Sequence, residues 1–224
     1  VYTLAELIEK FDINGIQKSN ARFDQKKFDY IAGKHMRMLS IDELVVKINH
    51  WVDNIVLNIT EFEEEYGVDD WEREIQDKVR PAAQLWRQDV EYFKKALELV
   101  HERLVYFGEL PELLHFAFAD TLNWTEADWN FKNQDKSKTA DALESIIPKL
   151  DELYGSGEIF HETWEQVVRD HADSIGFKHG DMFMALRSSV TGKLQSPPLF
   201  ESMDLIGWEK SKKFIQDAIV WLRS

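Results

Sequence analysis

Met184 to Gly207 reads MALRSSVTGKLQSPPLFESMDLIG. Met182, Phe183, Leu186 and Val190 recur at helical spacing and run into Gly192, which ends helices because it takes the left-handed conformation without a Cβ penalty. Pro197 and Pro198 fix the backbone over a rigid turn, and a short second helix follows, closing at Gly207. Arg187 sits inside the first helix, and its spacing aims it at the proline junction. A planar guanidinium beside an apolar elbow, Leu199 and Phe200, suits an unstacked base, which can be hydrogen-bonded and stacked at once. The same residues equally suit a plain helix corner in which Arg187 caps carbonyls.

Outward from this corner the pattern stays helical. Thr3 and Glu6 form a capping box that opens a helix with Leu4, Leu7, Ile8 and Phe11 on one face. Asp24 caps a second helix, with Phe28 and Ile31 inward and Gly33 as its stop. Ser40 and Glu43 form another capping box, before an apolar stripe of Ile41, Leu44, Val45, Ile48 and Val52. Trp71, Ile75 and Val79 predict a short amphipathic helix, broken at Val79-Arg80-Pro81. A long helix is expected from Ala82 to Phe107, stopped by Gly108 and Pro111. Its core stripe is Val90, Phe93, Leu97, Val100 and Leu104, with Arg103 on the flank.

Leu110 to Ala119 reads as a short helix, and the polar stretch Asn123 to Lys138 as a connection between subdomains. Thr139 to Tyr154 brings Leu143, Ile146, Ile147 and Leu150 together, with Pro148 as a candidate kink and Gly155-Ser156-Gly157 as a loop. A further helix opens at Thr163-Trp164-Glu165-Gln166 and ends at Gly176. The last, Glu209 to Leu222, carries Ile215, Ala218, Ile219 and Leu222 on one side, with Phe214 and Trp221 widening that face. No strand alternation of useful length occurs. The expected fold class is all-α, a helical bundle or cage of two consecutive helical subdomains.

Composition narrows the function. A chain of 224 residues with 44% hydrophobic and 30% charged residues is globular, and without cysteine it has neither a disulfide framework nor a thiolate metal site. No stretch is long and apolar enough to span a membrane, and no signal peptide is visible, so a cytoplasmic location is expected. The net charge of −14 argues against a general nucleic-acid binder. Much of the acid, however, is concentrated in Glu61, Glu63, Glu64, Glu65, Asp69, Asp70, Glu72 and Glu74, which must face away from any RNA. Lys18, Arg22, Lys26, Lys27, Lys34, His35 and Arg37 crowd an early segment, a density that suits phosphate contact and equally ordinary surface charge.

Catalytic signals are lacking: no catalytic residues and no metal ligands are assigned. His161, His171 and His179 match no standard ligand spacing. The loop at Gly155 has no preceding strand and no following Gly-Lys-Ser/Thr, so it is no phosphate cradle.

The corner also carries a resemblance. Leu186-Arg187, Thr191-Gly192, Pro197 with Leu199-Phe200-Glu201, and the closing Gly207 resemble a signature near the C-terminus of bacterial-type glutamyl-tRNA synthetases, class I glutamate–tRNA ligases. FDINGIQKSNARFDQKKFDYIAGKHMRML (Phe11 to Leu39) resembles the segment joining the catalytic and helical parts of that family. ELVHERLVYFGELPELLHF (Glu98 to Phe116) resembles its central anticodon-contacting helix and the turn after it. The three matches run in family order over nearly the whole chain. Ala32 departs from the family's usual Asn, Val105 and Tyr106 depart from its Lys-Thr pair, and Asn54 to Arg80 has no counterpart.

The resemblance implies the anticodon-binding, C-terminal part of an ATP-dependent ligase. The chain starts at Val1 without Met and is expected to be a fragment, non-catalytic by itself. Residues 1–39 would end a stem-contact segment, 40–120 would form a first anticodon-binding helical subdomain and 121–224 a second. Arg103 would read the third anticodon base, and Arg169, Arg187, Pro197 and Leu199 the first two. By residue type alone Arg103 remains equally a boundary cation. Lys18, Arg22, Lys27, Lys34 and Arg37 are candidates for the tRNA backbone. The implied partners are tRNA(Glu) and the enzyme's own N-terminal catalytic domain, where ATP and Mg²⁺ would bind. No cofactor is expected in this chain, and a monomer is expected. The alternative is an acidic helical protein-interaction module without RNA binding, supported by the acidic surface and by Asn54 to Arg80.

Overall fold

The computed structural model describes residues 2–16, 22–56, 70–129, 135–157 and 159–224. Among these residues every regular element is helical. Lys18 and the run Glu61 to Asp69 lie outside them, and the side chains of Trp71, Glu72, Glu74 and Ile75 are likewise undescribed. No helix of the described residues is long and apolar enough to cross a membrane.

The chain divides into two compact units, Val1–Ala83 with His101–Leu110, and Gln84–Val100 with Pro111–Ser224. In the first, α1 (Leu4–Lys10), α2 (Gln25–Arg37) and α3 (Ile41–Trp51) open at the side chains the sequence nominates. Thr3 and Ser40 make complete capping boxes, and the Asp24 carboxylate accepts from the Lys27 amide. Leu44, Val45, Ile48 and Val52 are buried as their spacing requires. Two expectations change. Leu4, Leu7, Ile8 and Phe11 share a face but are at least half exposed, and Phe28 is 49% exposed rather than inward. Gly33 does not stop α2. It is buried inside the helix, where a Cβ would come within 3.2 Å of the Arg37 guanidinium. That space lets Arg37 lie across the helix and donate to the Glu102 carbonyl at 2.9 Å, while His101 Nε2 meets the Met36 carbonyl at 3.0 Å.

The long central helix expected from Ala82 to Phe107 is replaced by two. Helix α4 (Asp70–Gln88) passes through Pro81, and α5 spans Val90–Val100. The expected break at Val79-Arg80-Pro81 is absent because Val79 and Ala83 are buried on either side of the proline, and their burial offsets one missing main-chain hydrogen bond. The break falls at Asp89, whose carboxylate accepts from the Tyr92 amide at 2.9 Å. Beyond Val100 the amides of Val105 and Tyr106 donate to Glu109 Oε2 instead of to helix carbonyls, so the chain turns. Val90 is 39% exposed, whereas Phe93, Leu97, Val100 and Leu104 are buried.

The second unit contains α5, two single turns, α6 (Leu110–Leu113) and α7 (His115–Phe118), and then α8 (Lys136–Ser156), α9 (His161–Ser174), α10 (His179–Thr191), α11 (Leu199–Ile206) and α12 (Trp208–Arg223). Gly157, with φ at 73°, caps α8, so Gly155 and Ser156 are helical rather than loop. Helix α12 lies along α8, and Asp151 of α8 accepts from Trp208 Nε1 at 2.7 Å and from Lys212 at 2.7–2.8 Å. The stretch after Asn123 is not a free connection. Trp124, Asp128 and Trp129 are buried, and Trp124 Nε1 donates to the Ser188 carbonyl at 2.8 Å, which anchors the strap against α10.

Candidate nucleic-acid interface

The corner at the end of α10 is built as its residues dictate. Gly192 adopts φ 75° and returns its amide to the Ser188 carbonyl at 2.9 Å. Thr191 Oγ1 donates to the Arg187 carbonyl at 2.7 Å, and the Ser188 hydroxyl donates to the Asp128 carbonyl. Arg187 reaches the proline turn. Its Nη1 donates to the Pro197 carbonyl at 2.8 Å, to the Ser196 carbonyl at 3.1 Å and to the Ser196 hydroxyl at 3.3 Å. Of the two sequence readings of Arg187, the carbonyl cap is therefore present in the structure, with the guanidinium half-buried. Pro197 is buried and Leu199 is 5% exposed, so their side chains support the turn from within, whereas Pro198 is exposed and Phe200 half-buried.

Arg169 of α9 is held from two sides. Its Nε and Nη2 donate to Glu165 Oε1 at 2.8 and 2.5 Å, and its Nη1 donates to His179 Nδ1 at 3.2 Å. Because Nδ1 accepts, the proton of neutral His179 sits on Nε2, which donates to Asp173 at 2.8 Å. The guanidinium also lies 5.3 Å from the Phe183 ring centre. The hydrogen bonds and the charge of the Arg169 guanidinium hold the Glu165 carboxyl below its usual value. Trp164, 1% exposed, links this cation to the corner: its ring tilts against Phe183 at 5.9 Å and against Phe200 at 5.8 Å. Arg169, Arg187, Pro197 and Leu199 are thus parts of one packed assembly of α9, α10 and α11.

The other candidates belong to the first unit. Arg103 is exposed in the turn after α5, not on the flank of a continuing helix. Arg22 and Lys27 are exposed, Lys34 lies 5.6 Å over the Tyr30 ring, and Arg37 is half-buried with Nη1 on the Glu102 carbonyl. The histidines have structural partners. His161 lies on Phe200 with centroids 5.0 Å apart, and His171 Nε2 meets Ser145 Oγ at 2.8 Å. Among the described residues no group of histidines and carboxylates could hold a metal ion.

Sequence reasoning missed Glu165, His179, Ser196 and His161 as the partners that orient these cations and rings. His161, Glu165 and Arg169 recur every four residues on α9, a register that places them on one helix face and that signals the pairing.

Comparison with known proteins places the chain in a family. The family profile described as "Anticodon binding domain" matches residues 74–219, more than half of the chain. The chain belongs to this anticodon-binding domain family. It is 31% identical over 219 residues to a glutamate–tRNA ligase of Treponema denticola, a match covering 98% of this chain and 42% of the relative. With the Nocardioides glutamate–tRNA ligase it shares 30% identity over 98% of its own length and 40% of that protein's. The chain therefore spans about two fifths of the length of these curated relatives. In fold it is similar to a glutamate tRNA ligase from Elizabethkingia meningosepticum, solved in complex with its amino acid, with a TM-score of 0.64 at 20% identity, over 99% of this chain and 37% of that one.

Proposed function

We propose that this chain is the anticodon-binding, C-terminal part of a glutamyl-tRNA synthetase and that its RNA ligand is tRNA(Glu). The observation that carries the reading is the paired placement of Arg169 and Arg187. Each half-buried cation is held by fixed partners, on packed helices within the family-matched region. Unpaired loop bases present their edges to such donors, and a guanidinium whose rotamer is already set loses little entropy when a base binds. In this reading Arg187 and Arg169 serve the first two anticodon bases, with Pro197 and Leu199 setting the shape of the turn, and Arg103 serves the third. Residues 1–39 end the stem-contact segment, where Lys18, Arg22, Lys27, Lys34 and Arg37 face the RNA backbone; 40–120 and 121–224 are the two anticodon-binding subdomains.

Aminoacylation, with ATP and Mg²⁺, belongs to a catalytic domain outside this chain and preceding it in the enzyme. The enzyme acts as a cytoplasmic monomer, and that catalytic domain is this chain's partner besides the tRNA.

A filter-binding titration of the 224-residue chain against glutamate tRNA at two salt concentrations tests the reading. Binding that weakens with salt and exceeds that of an unrelated tRNA supports it. No binding, or equal binding of both RNAs, would overturn it and leave the acidic protein-interaction module as the better account.

A further inference from the structure

The sequence offers Phe200 as the stacking ring beside Arg187, but in the structure that ring is already covered. The His161 imidazole lies on it with centroids 5.0 Å apart and planes 17° apart, and Trp164 leans against it at 59°. Phe200 is half-buried, whereas His161 is exposed. One imidazole face is therefore occupied by Phe200 and the other meets water. The ring is braced beneath by Phe200, itself backed by a tryptophan only 1% exposed. It stands one helical turn from Glu165 and two from Arg169, on the same face of α9.

A flat π face held in place by a second aromatic layer, beside cations that are themselves held, has the parts of a single-strand stacking site. Rings supply sequence-tolerant attraction, because every base has a π face, and cations hold the backbone or read the edges. We propose that the outer face of His161 is a platform for one unpaired nucleobase of the RNA bound at Arg169 and Arg187. The proposal rests on the anticodon reading above and adds to it a residue at the start of α9, two turns before Arg169, with a distinct task. His161 contributes affinity by stacking, and Phe200 is the layer beneath it rather than the surface the base touches.

The test uses the whole chain and a fluorescently labelled RNA hairpin carrying the glutamate anticodon in its loop. His161→Ala should weaken hairpin binding by roughly fivefold to a hundredfold, the range for loss of one base–aromatic stack. His161→Phe, which keeps a flat ring on Phe200, should bind within a few-fold of the wild type. Hairpins with a single abasic site, moved through the loop, locate the base: at one position the abasic site should cost the wild type affinity but cost His161→Ala nothing further. His161→Ala binding like the wild type, or losing equally at every abasic position, would overturn the platform while leaving the anticodon reading intact. A wild-type chain that binds none of the hairpins overturns the anticodon reading itself, and the platform with it.

Discussion

The guanidinium of Arg187 donates across 2.8 Å to the carbonyl oxygen of Pro197, ten residues further along the chain. One side chain thus ties the last turn of α10 to the proline turn that opens α11. Any RNA role of Arg187 is performed by a group already committed to shaping the corner.

Arg187→Ala should therefore do two things. Loss of charge-assisted hydrogen bonds to two part-buried carbonyls should destabilise the second unit by about 1–3 kcal/mol. Hairpin binding, measured well below the melting transition, should fall as well. A variant that melts earlier but binds RNA normally when folded would confine Arg187 to the structural role.

Glu165 pairs with Arg169, the cation that meets the RNA in the reading proposed above. Glu165→Gln keeps a side chain of similar shape and removes the negative charge. RNA binding should strengthen a few-fold at low salt, and the gain should shrink as ionic strength screens the exposed charges. Unchanged affinity at low salt would place Arg169 away from the RNA.

If Arg103 reads the third anticodon base, as proposed, it sets specificity. The third anticodon base is C in glutamate tRNA and G in glutamine tRNA. Cytosine presents acceptors to a guanidinium, whereas guanine presents donors on its pairing edge to a donor-only side chain. Arg103→Gln, whose amide both donates and accepts, should narrow the binding gap between the two tRNAs, mainly by weakening the glutamate tRNA. An unchanged ratio would make Arg103 a surface cation only.

Acid should destabilise the second unit through His171 before the carboxylates titrate. Burial, reinforced by Lys149, pushes His171 below its ordinary value of 6.5. Between that lowered value and 6.5 the unfolded chain binds more protons than the folded one, so stability rises with pH there. The contribution is complete above about 6.5 and is lost as pH falls through the lowered folded value. Ser145 Oγ already donates to the Ala142 carbonyl at 2.9 Å, so it accepts from His171, and that bond survives protonation. Melting temperatures from pH 7.5 down to 5 should fall less in His171→Gln than in the wild type.

Gly33 and Arg37 should couple. Alanine in a helix interior is favoured over glycine by about 1 kcal/mol, but a Cβ at position 33 would displace the Arg37 guanidinium, 3.2 Å away, from the Glu102 carbonyl. Gly33→Ala should accordingly raise the melting temperature more in an Arg37→Ala background than in the wild type. Equal gains in both backgrounds would show that Arg37 adjusts freely.

Much of this protein follows from local chemistry. The capping boxes at Thr3 and Ser40, the cap at Asp24, the left-handed stop at Gly192 and the buried stripe of Leu44, Val45, Ile48 and Val52 depend on residues within one or two turns of each other, so their spacing alone determined them. The all-α class and the direction of Arg187 came with them. Tertiary structure decided whatever depends on distant partners. Helix α4 passes Pro81 because packing at Val79 and Ala83 outweighs one lost hydrogen bond, and Gly33 stays helical because Arg37 needs its space to reach Glu102. The site divides in the same way. The cations were legible as residue types, but the partners that hold them come from other turns and other helices: Glu165 and His179 for Arg169, Ser196 and Pro197 for Arg187. The covering of Phe200 by His161 joins residues 39 positions apart in sequence, and only the packing of α9 against α11 brings those two rings together.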